Sequence, residues 1–303
     1  WIFGDPVGAL DNGCAANPSY ISHYDYYRGD APFSEKEVQA IRDFAIEKNF
    51  LLSIAYHSSR SGCVAERIIY PWVWAGGKSA PDYNVISTLG QEIAELTPVE
   101  VGDGNYHHAA SGSVKGNAHD WFYAKTGCIQ YLIEVGTENM QPNDNDLIED
   151  TVSRNMAGAF HLLRRAAGLD LGSGPDKFQV TGIVSDASTS QPILGAEVEI
   201  LEMTGPMLSP RKTNEFGRYR RLLYPGTFTL KVSAFGYETR IINGITPSSS
   251  SITTIPVDLN PLNFFSLDLD VNLPTEKDQD IKIIRKYGNQ MEEFLYNVDE
   301  IFY

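Results

Sequence analysis

The chain has 303 residues, of which 42% are hydrophobic and 21% are charged, a balance typical of a globular protein. Its formal net charge of -15 argues against nucleic-acid binding, because such proteins carry basic surfaces that neutralise phosphates. No apolar run approaches the roughly 20 residues of a membrane-spanning helix, so we expect no membrane span. Three cysteines are too few for a disulfide framework and leave the cellular compartment open.

The first half of the chain contains segments with helical periodicity. Ser34 and Glu37 predict a capping box at the start of a first helix. Apolar residues recur at helical spacing over Ala80–Leu96 and Asp146–Ala167, which predicts two more helices. The residues expected to face the core are Val38, Ile41, Phe44 and Ala45 on the first helix, and Ile148, Val152, Met156, Phe160 and Leu163 on the last.

Apolar runs lie between these helices. Phe50–His57 and Cys128–Gly136 each have the composition of a buried strand, and Ile68–Trp72 predicts a short extended segment. Helices that alternate with apolar strands are typical of an α/β sheet with mostly parallel or mixed strands, flanked by helices. We therefore predict an α/β domain over residues 1–170.

A Gly-rich linker, Leu171–Pro175, precedes a change of pattern. Three later segments alternate polar and apolar residues, as half-buried strands of an antiparallel sandwich do: Phe178–Val184, Ala196–Leu201 and Thr227–Val232. We predict an all-β sandwich over residues 176–261. Residues 262–303 contain another alternating run, Phe264–Leu273, and a predicted helix from about Asp280. They are not assigned to a fold and are either a tail or the start of a further domain.

Two polar residues interrupt the apolar strands. His57 ends the strand that begins at Phe50 and is followed by Ser58, and in open α/β sheets ligands bind beyond the carboxyl ends of the strands. His57 is either a hydrogen-bonded structural residue or a metal ligand, with Ser58 as a substrate contact. Glu134 lies within an apolar run, where an unpaired carboxylate is costly. It is therefore either a salt-bridge partner or a general base.

A loop rich in Gly, His and Ser precedes the strand that carries Glu134. It contains Tyr106-His-His-Ala-Ala-Ser-Gly112 and is followed by Ala118-His-Asp-Trp-Phe-Tyr123. A loop of this composition before a functional strand is either a plain connection or a lid over a site. The composition alone does not distinguish these two roles.

The order of these motifs resembles the zinc metallocarboxypeptidases of the carboxypeptidase A/B type, over residues 1–168. The shared features are Tyr27-Arg-Gly29, Phe33-Ser-Glu-Lys-Glu37, the strand ending in His57-Ser58, Ala110-Ser-Gly112, Asp120-Trp-x-Tyr123 and the strand with Glu134. The resemblance implies an eight-stranded α/β domain that removes C-terminal amino acids from peptides or proteins. It also implies that His57 is a zinc ligand and that Glu134 activates a zinc-bound water.

Residues 178–260 resemble a second family, the transthyretin-like β-sandwich also described as carboxypeptidase regulatory-like. The matching segments are Val180-x-Gly182-x-Val184-x-Asp186, Pro192-Ile-x-Gly195-Ala-x-Val198, Thr213-x-x-x-Gly217-x-Tyr219, Leu223-x-Pro225-Gly226 and Ala234-x-Gly236-Tyr237. Such a domain directly after the catalytic one is the arrangement of the carboxypeptidase N/E subfamily. The sandwich has no catalytic constellation of its own, so the resemblance implies a structural or interaction role.

The chain departs from the peptidase family in two motifs. None of its six histidines is followed three residues later by a glutamate, as the family's His-x-x-Glu zinc ligands require, and no Asn-Arg pair for anchoring the substrate occurs. Three protein ligands are usual for catalytic zinc. We therefore expect the chain to be the C-terminal portion of a catalytic domain, to be inactive alone, and to depend on Zn²⁺ ligands outside it.

Substrate contacts and partners follow from the same resemblance. His108 occupies the place of the family's substrate-capping tyrosine, and Tyr106 lies two residues earlier, so either can fill that role. Asp120 is a further expected substrate contact. The expected partners are peptide or protein C-termini, and the expected location is secreted, extracellular or periplasmic. The alternatives are a non-catalytic peptide-binding or adhesion module, and an amidase that acts on cell-wall peptides.

Overall fold

The structure is a computed structural model that describes residues 31–58, 66–74, 77–112, 117–136, 144–168 and 178–262, and the backbone of residues 281–287 and 290–296. The chain divides into two compact units, Trp1–Pro261 and Leu262–Tyr303. The first unit contains a mixed sheet flanked by helices and, further along the chain, a β-sandwich. The predicted fold class, α/β with an additional all-β sandwich, is confirmed.

The α/β part contains four helices and six strands among its described residues. In chain order they are α1 (Lys36–Lys48), β1 (Leu52–Ser58), β2 (Arg67–Tyr70), β3 (Val73–Trp74), β4 (Lys78–Ser79), α2 (Tyr83–Glu95), β5 (His107–Ala110), α3 (Ala118–Thr126), β6 (Ile129–Val135) and α4 (Asn145–Ala167). The main sheet has the strand order β1-β6-β2-β5. β1 runs parallel to β6, β2 runs parallel to β5, and β2 is antiparallel to β6. β3 and β4 form a separate two-stranded ribbon.

The core of this part lies between the sheet and α2. Ile68 of β2, Tyr131 and Ile133 of β6, and Ile86 and Ile93 of α2 are all fully buried. The apolar runs that predicted the strands therefore supply the sheet's share of the core. The helical periodicity of α2 places its apolar face against them.

α4 packs in a different orientation from the one predicted. The five apolar residues expected to face the core are 41% to 61% exposed: Ile148, Val152, Met156, Phe160 and Leu163. The buried residues are instead Asn155, Gly158, Leu162 and Arg165. A Cβ on Gly158 would lie 2.9 Å from Cγ2 of Ile93, so the missing side chain lets α4 approach α2 closely.

The start of α1 also differs from the prediction. The first residue before the helix is Glu35, with no side-chain capping hydrogen bond, and the hydroxyl of Ser34 donates to the Glu35 carboxylate. Of the four residues expected to face the core, only Ala45 is buried, and Ile41 and Phe44 are exposed. The predicted capping box and the full apolar face of α1 are therefore wrong.

The β-sandwich is built from two sheets. Its strands are β7 (Gln179–Asp186), β8 (Glu197–Ile200), β9 (Arg211–Lys212), β10 (Arg218–Leu222), β11 (Phe228–Ser233), β12 (Arg240–Ile245), β13 (Thr253–Thr254) and β14 (Val257–Leu259). One sheet has the order β10-β7-β13, with β14 also paired to β7, and the other has the order β12-β11-β8-β9. Alternate residues of β8 and β11 are buried, which is the pattern that the sequence predicted for half-buried strands.

Among its described residues, the second unit contains an antiparallel hairpin, β15 (Ile281–Tyr287) paired with β16 (Gln290–Tyr296). The helix predicted from about Asp280 is therefore wrong, because a strand begins at Ile281. The alternating run Phe264–Leu273 lies outside the described residues. Among the helices that the structure describes, none has the length and apolar character needed to cross a bilayer.

Candidate active site

The parallel strands β1 and β6 bring His57 and Glu134 together. The two residues are direct register partners, and His57 Nδ1 lies 3.2 Å from Glu134 Oε2. The imidazole is 58% exposed and the carboxylate is 13% exposed. The pair thus combines a partly buried carboxylate with an imidazole that solvent or a ligand can reach. An imidazole and a carboxylate at this distance can hold or transfer a proton.

The register extends this pair into a row of ionisable residues across the sheet. Glu134 is the register partner of Arg67 on β2, and Arg67 is the partner of His107 on β5. β1 and β6 end near this row, whereas β2 and β5 begin there. Neither Arg67 nor His107 was predicted from the sequence as a site residue. The sequence signal for them is that Arg67 and His107 each stand at the start of a short strand-like run, Arg67–Tyr70 and His107–Ala110.

Glu66 holds this end of the sheet together. Its carboxylate is buried and accepts hydrogen bonds from the Tyr106 hydroxyl at 2.7 Å, the Glu100 amide at 2.6 Å and the Gly136 amide at 3.3 Å. Arg154 of α4 forms an ion pair with it at 3.1 Å. Gly136 lies two residues beyond Glu134, so Glu66 fixes the end of the strand that carries the candidate base.

Asp120 lies on α3 and contacts the segment that follows β5. The Ser111 hydroxyl donates to both carboxylate oxygens of Asp120, at 2.8 and 3.0 Å. Burial raises the pKa of Asp120 to about 6, although hydrogen bonds from Ser111, Asn117 and Trp74 act in the opposite sense. The Asp120 carboxyl group therefore changes its protonation state near pH 6.

His119 is the neighbour of Asp120 on α3 and is almost fully buried. Its Nε2 has no hydrogen-bond partner among the described residues, and it lies 3.8 Å from Oδ1 of Asp120. Burial lowers the pKa of His119 to about 4. The imidazole is therefore neutral at physiological pH.

The structure places the other predicted substrate contacts separately. Tyr106 is buried, and its hydroxyl donates to Glu66. His108 is exposed on β5, with Nδ1 3.0 Å from the Tyr70 hydroxyl. The side chain of Ser58 lies outside the described part of the structure. Of the two candidates for the capping role, His108 is thus the one that a ligand can reach.

The described residues do not provide a complete zinc site. His57 and Glu134 are two adjacent donors, but no group of three or more His, Cys, Asp or Glu side chains that could hold a metal occurs among the described residues. Cys128 is buried and forms no disulfide, and burial raises its pKa to about 11, which disfavours the thiolate that binds metals. Cys14 and Cys63 lie outside the described residues.

Comparison with known proteins identifies both parts of the chain. Residues 11–158 match the zinc carboxypeptidase family, and residues 179–260 match the carboxypeptidase regulatory-like domain. Over these two ranges the chain is therefore similar to a zinc carboxypeptidase and to a carboxypeptidase regulatory-like domain. Both resemblances inferred from the sequence motifs are confirmed. The range similar to zinc carboxypeptidases contains His57, Glu134 and Asp120, and the range similar to the regulatory-like domain corresponds to the β-sandwich.

Several relatives of this carboxypeptidase segment and its β-sandwich are named carboxypeptidase D. The Drosophila melanogaster protein is 28% identical over 219 residues, which cover 68% of this chain and 14% of the relative. The human protein is 29% identical over 140 residues, covering 46% of this chain and 9% of the relative. The chain thus spans a small fraction of these relatives.

Two similar solved structures show weak likeness to this chain. The backbone protein of the group B streptococcus pilus 2b has a TM-score of 0.23 at 17% identity, covering 28% of this chain and 41% of that chain. A carbohydrate-binding protein from Bacteroides uniformis has a TM-score of 0.22 at 10% identity, covering 39% of this chain and 50% of that chain. Scores at this level carry no conclusion about function.

Proposed function

We propose that residues 1–170 are the C-terminal portion of the catalytic domain of a zinc-dependent metallocarboxypeptidase. The reaction is hydrolysis of the C-terminal peptide bond of peptides or proteins. The observation that carries the proposal is the His57–Glu134 pair, 3.2 Å apart at the ends of two parallel strands, within a segment that matches the zinc carboxypeptidase family. Residues 176–261 are the regulatory-like domain, and 262–303 are either an unassigned tail or the start of a further domain.

Glu134 is the proposed general base. Its carboxylate accepts a proton from the attacking water and returns it to the nitrogen of the leaving amino acid. The partly buried position favours this role, since few water molecules compete for the carboxylate oxygens. Glu66 supports it by holding the backbone of Gly136, immediately beyond the end of β6.

His57 is the proposed zinc ligand. A catalytic zinc usually has three protein ligands, and the described residues supply fewer, so we assign no catalytic step to a metal on these residues alone. We propose that the remaining ligands lie outside this chain, since no histidine in it begins a His-x-x-Glu motif. His57 Nδ1 lies 3.2 Å from Glu134 Oε2, so His57 would have to give up this contact if it held zinc through that nitrogen.

The proposed substrate contacts are His108, Asp120 and Ser58. His108 is exposed and takes the capping position, and Asp120 contacts the substrate from α3 through a carboxyl group that Ser111 orients. Ser58, which follows His57, is a further contact. The proposed location is extracellular or periplasmic, where peptides and proteins with free C-termini are the partners.

A non-catalytic peptide-binding module is the second candidate. The shortage of metal donors among the described residues favours it over an enzyme that is complete in this chain. In this role the exposed His57 and His108 and the Asp120 carboxyl group bind a peptide without cleaving it.

Activity of the full-length protein distinguishes the two candidates. The protein is purified with zinc and incubated with peptides that differ only in a free or an amidated C-terminus, and the released amino acid is measured. Release from the free carboxylate alone supports the carboxypeptidase. Saturable binding of the peptide without release supports the binding module. The absence of both release and binding contradicts the two candidates together.

A further inference from the structure

The helix that carries Asp120 ends against the β-sandwich. α3 has nine residues, and the last four carbonyl groups of any helix lack partners within it. The amide of Ser209 donates to the Ala124 carbonyl at 2.8 Å. Arg211 Nε donates to the carbonyl of Gly127, the residue that follows the helix, at 3.2 Å. Hydrogen-bond donors from β9 and from the segment before it therefore satisfy carbonyl groups at the C-terminal end of α3.

A buried ionic cluster reinforces this contact. Asp82, directly before α2, accepts hydrogen bonds from the Tyr123 hydroxyl at 2.6 Å, from Arg211 at 3.2 Å and from Arg221 at 3.2 Å. Arg211 and Arg221 belong to the sandwich, and Tyr123 belongs to α3. Asp82 and Arg221 are both almost fully buried. The Arg211 guanidinium also lies 5.6 Å from the centre of the Tyr123 ring, a distance at which cation–π attraction operates.

The electrostatics of this cluster favour its charged form. Burial opposes ionisation of Asp82, but the charges of Arg211 and Arg221 and the hydrogen bond from Tyr123 leave its pKa below its usual value. Burial and the nearby Arg211 lower the pKa of Arg221 to about 10, so this arginine remains charged at neutral pH. Removing either arginine leaves Asp82 with less compensation in a buried environment, which is costly.

The two ends of α3 therefore face different parts of the molecule. Its C-terminal half contacts the sandwich through Tyr123, Ala124 and Gly127. Its N-terminal half contacts the segment that follows β5 through Asp120, whose carboxylate accepts hydrogen bonds from Ser111. A helix of nine residues is too short to be stable alone, so its position depends on these contacts.

We propose that Arg211 of the β-sandwich is a positioning residue that holds α3 in place and so aligns Asp120 with Ser111. The sandwich is then part of the structural support of the substrate-binding side, and not only an attached module. The inference rests on the proposed function for one point, the role of Asp120 in substrate binding. The contacts that carry it are independent of zinc and of peptidase activity.

Amide hydrogen exchange on the intact chain tests the proposal. In Arg211→Gln, the amides of Trp121, Phe122 and Tyr123 are expected to exchange at least roughly tenfold faster, since the hydrogen bonds of the guanidinium with Asp82 and Gly127 are lost. Arg211→Lys is expected to show the same local effect, because one ammonium group cannot reproduce the planar fork that contacts both Asp82 and Gly127. Arg218→Gln removes an exposed arginine from the same sandwich and is the matched control, with unchanged exchange.

A second readout separates positioning from general stabilisation. The pKa of Asp120, followed by the NMR signal of its carboxyl carbon, is expected to fall from about 6 towards its ordinary value as the carboxyl group becomes hydrated. Exchange that accelerates equally in α3 and α4, or an unchanged pKa of Asp120, overturns the proposal. If Arg211→Gln does not fold, Arg211→Lys, which keeps the positive charge, provides the test. Unchanged α3 exchange in that variant then overturns the proposal.

These measurements need neither substrate nor metal. A negative result therefore removes the positioning role of Arg211 and leaves the peptidase proposal as it stands. Conversely, a full-length protein that lacks peptidase activity does not affect the dependence of α3 on the sandwich.

Discussion

His119 and Asp120 are adjacent on α3, and burial moves their pKa values in opposite directions. The pKa of His119 falls from 6.5 to about 4, and the pKa of Asp120 rises from 3.8 to about 6. A pKa difference of one corresponds to about 1.4 kcal/mol between the two protonation states. Each residue therefore changes the free energy of unfolding by about 3 kcal/mol across the interval between its two pKa values.

The two contributions have opposite signs. Between about pH 4 and pH 6.5 the unfolded chain binds more protons at His119 than the folded chain, so His119 makes stability rise with pH. Between pH 3.8 and about pH 6 the folded chain binds more protons at Asp120, so Asp120 makes stability fall as pH rises. In the wild-type protein these two contributions largely cancel.

The substitution Asp120→Asn removes the pH-dependent contribution of Asp120 and leaves that of His119. Measured by urea denaturation with tryptophan fluorescence, its stability relative to wild type is expected to be equal near pH 4 and higher by about 3 kcal/mol near pH 7. His119→Gln is expected to be more stable than wild type near pH 4 and equal to it near pH 7. Asp103→Asn, at an exposed position, is the control. A difference between Asp120→Asn and wild type that is the same at every pH refutes the reasoning.

Three further predictions concern the metal site, the turn after α3 and the Glu66 cluster. Calorimetric titration of this chain with zinc is expected to show no sub-micromolar one-to-one binding, because the described donors are fewer than three; such binding contradicts the incomplete site. Gly127→Ala is expected to reduce stability more than Gly195→Ala. Both glycines have a left-handed backbone, in which an alanine costs about 1–2 kcal/mol. At Gly127 a Cβ would also lie 2.4 Å from Nε of Arg211, whereas at Gly195 it would meet no atom within 4 Å. Equal losses in thermal unfolding contradict that contact. Arg154→Met leaves Glu66 buried without its cation and is expected to cost about 3 kcal/mol in urea denaturation; a loss under about 1 kcal/mol contradicts a buried ion pair.

Local patterns in the sequence predicted the elements that carry the candidate site. The apolar run that ends at His57 became β1, and the run that contains Glu134 became β6. Their register could not be deduced from composition, since any pairing of two apolar strands buries similar surface. The structure aligns His57 with Glu134 and extends the row to Arg67 and His107.

The features that the sequence did not predict correctly are contacts between distant parts of the chain. Periodicity identified the apolar face of α4 correctly, yet the covered face is the one with Asn155, Gly158 and Arg165. A helical pattern shows where apolar residues lie, but it does not show which neighbour covers them. The contacts of Asp82 with Arg211 and Arg221 span about 130 positions or more along the chain, so no local signal predicts them.

The assignment of Glu134 as the general base is the central claim, and one substitution in the full-length protein tests it most directly. Glu134→Gln preserves the size and shape of the side chain but cannot accept the proton of the attacking water. We expect the variant to retain its bound zinc, measured by atomic absorption, and to release C-terminal amino acids roughly 10²–10⁴-fold more slowly than wild type. Full activity in a variant that still holds zinc would contradict the assignment.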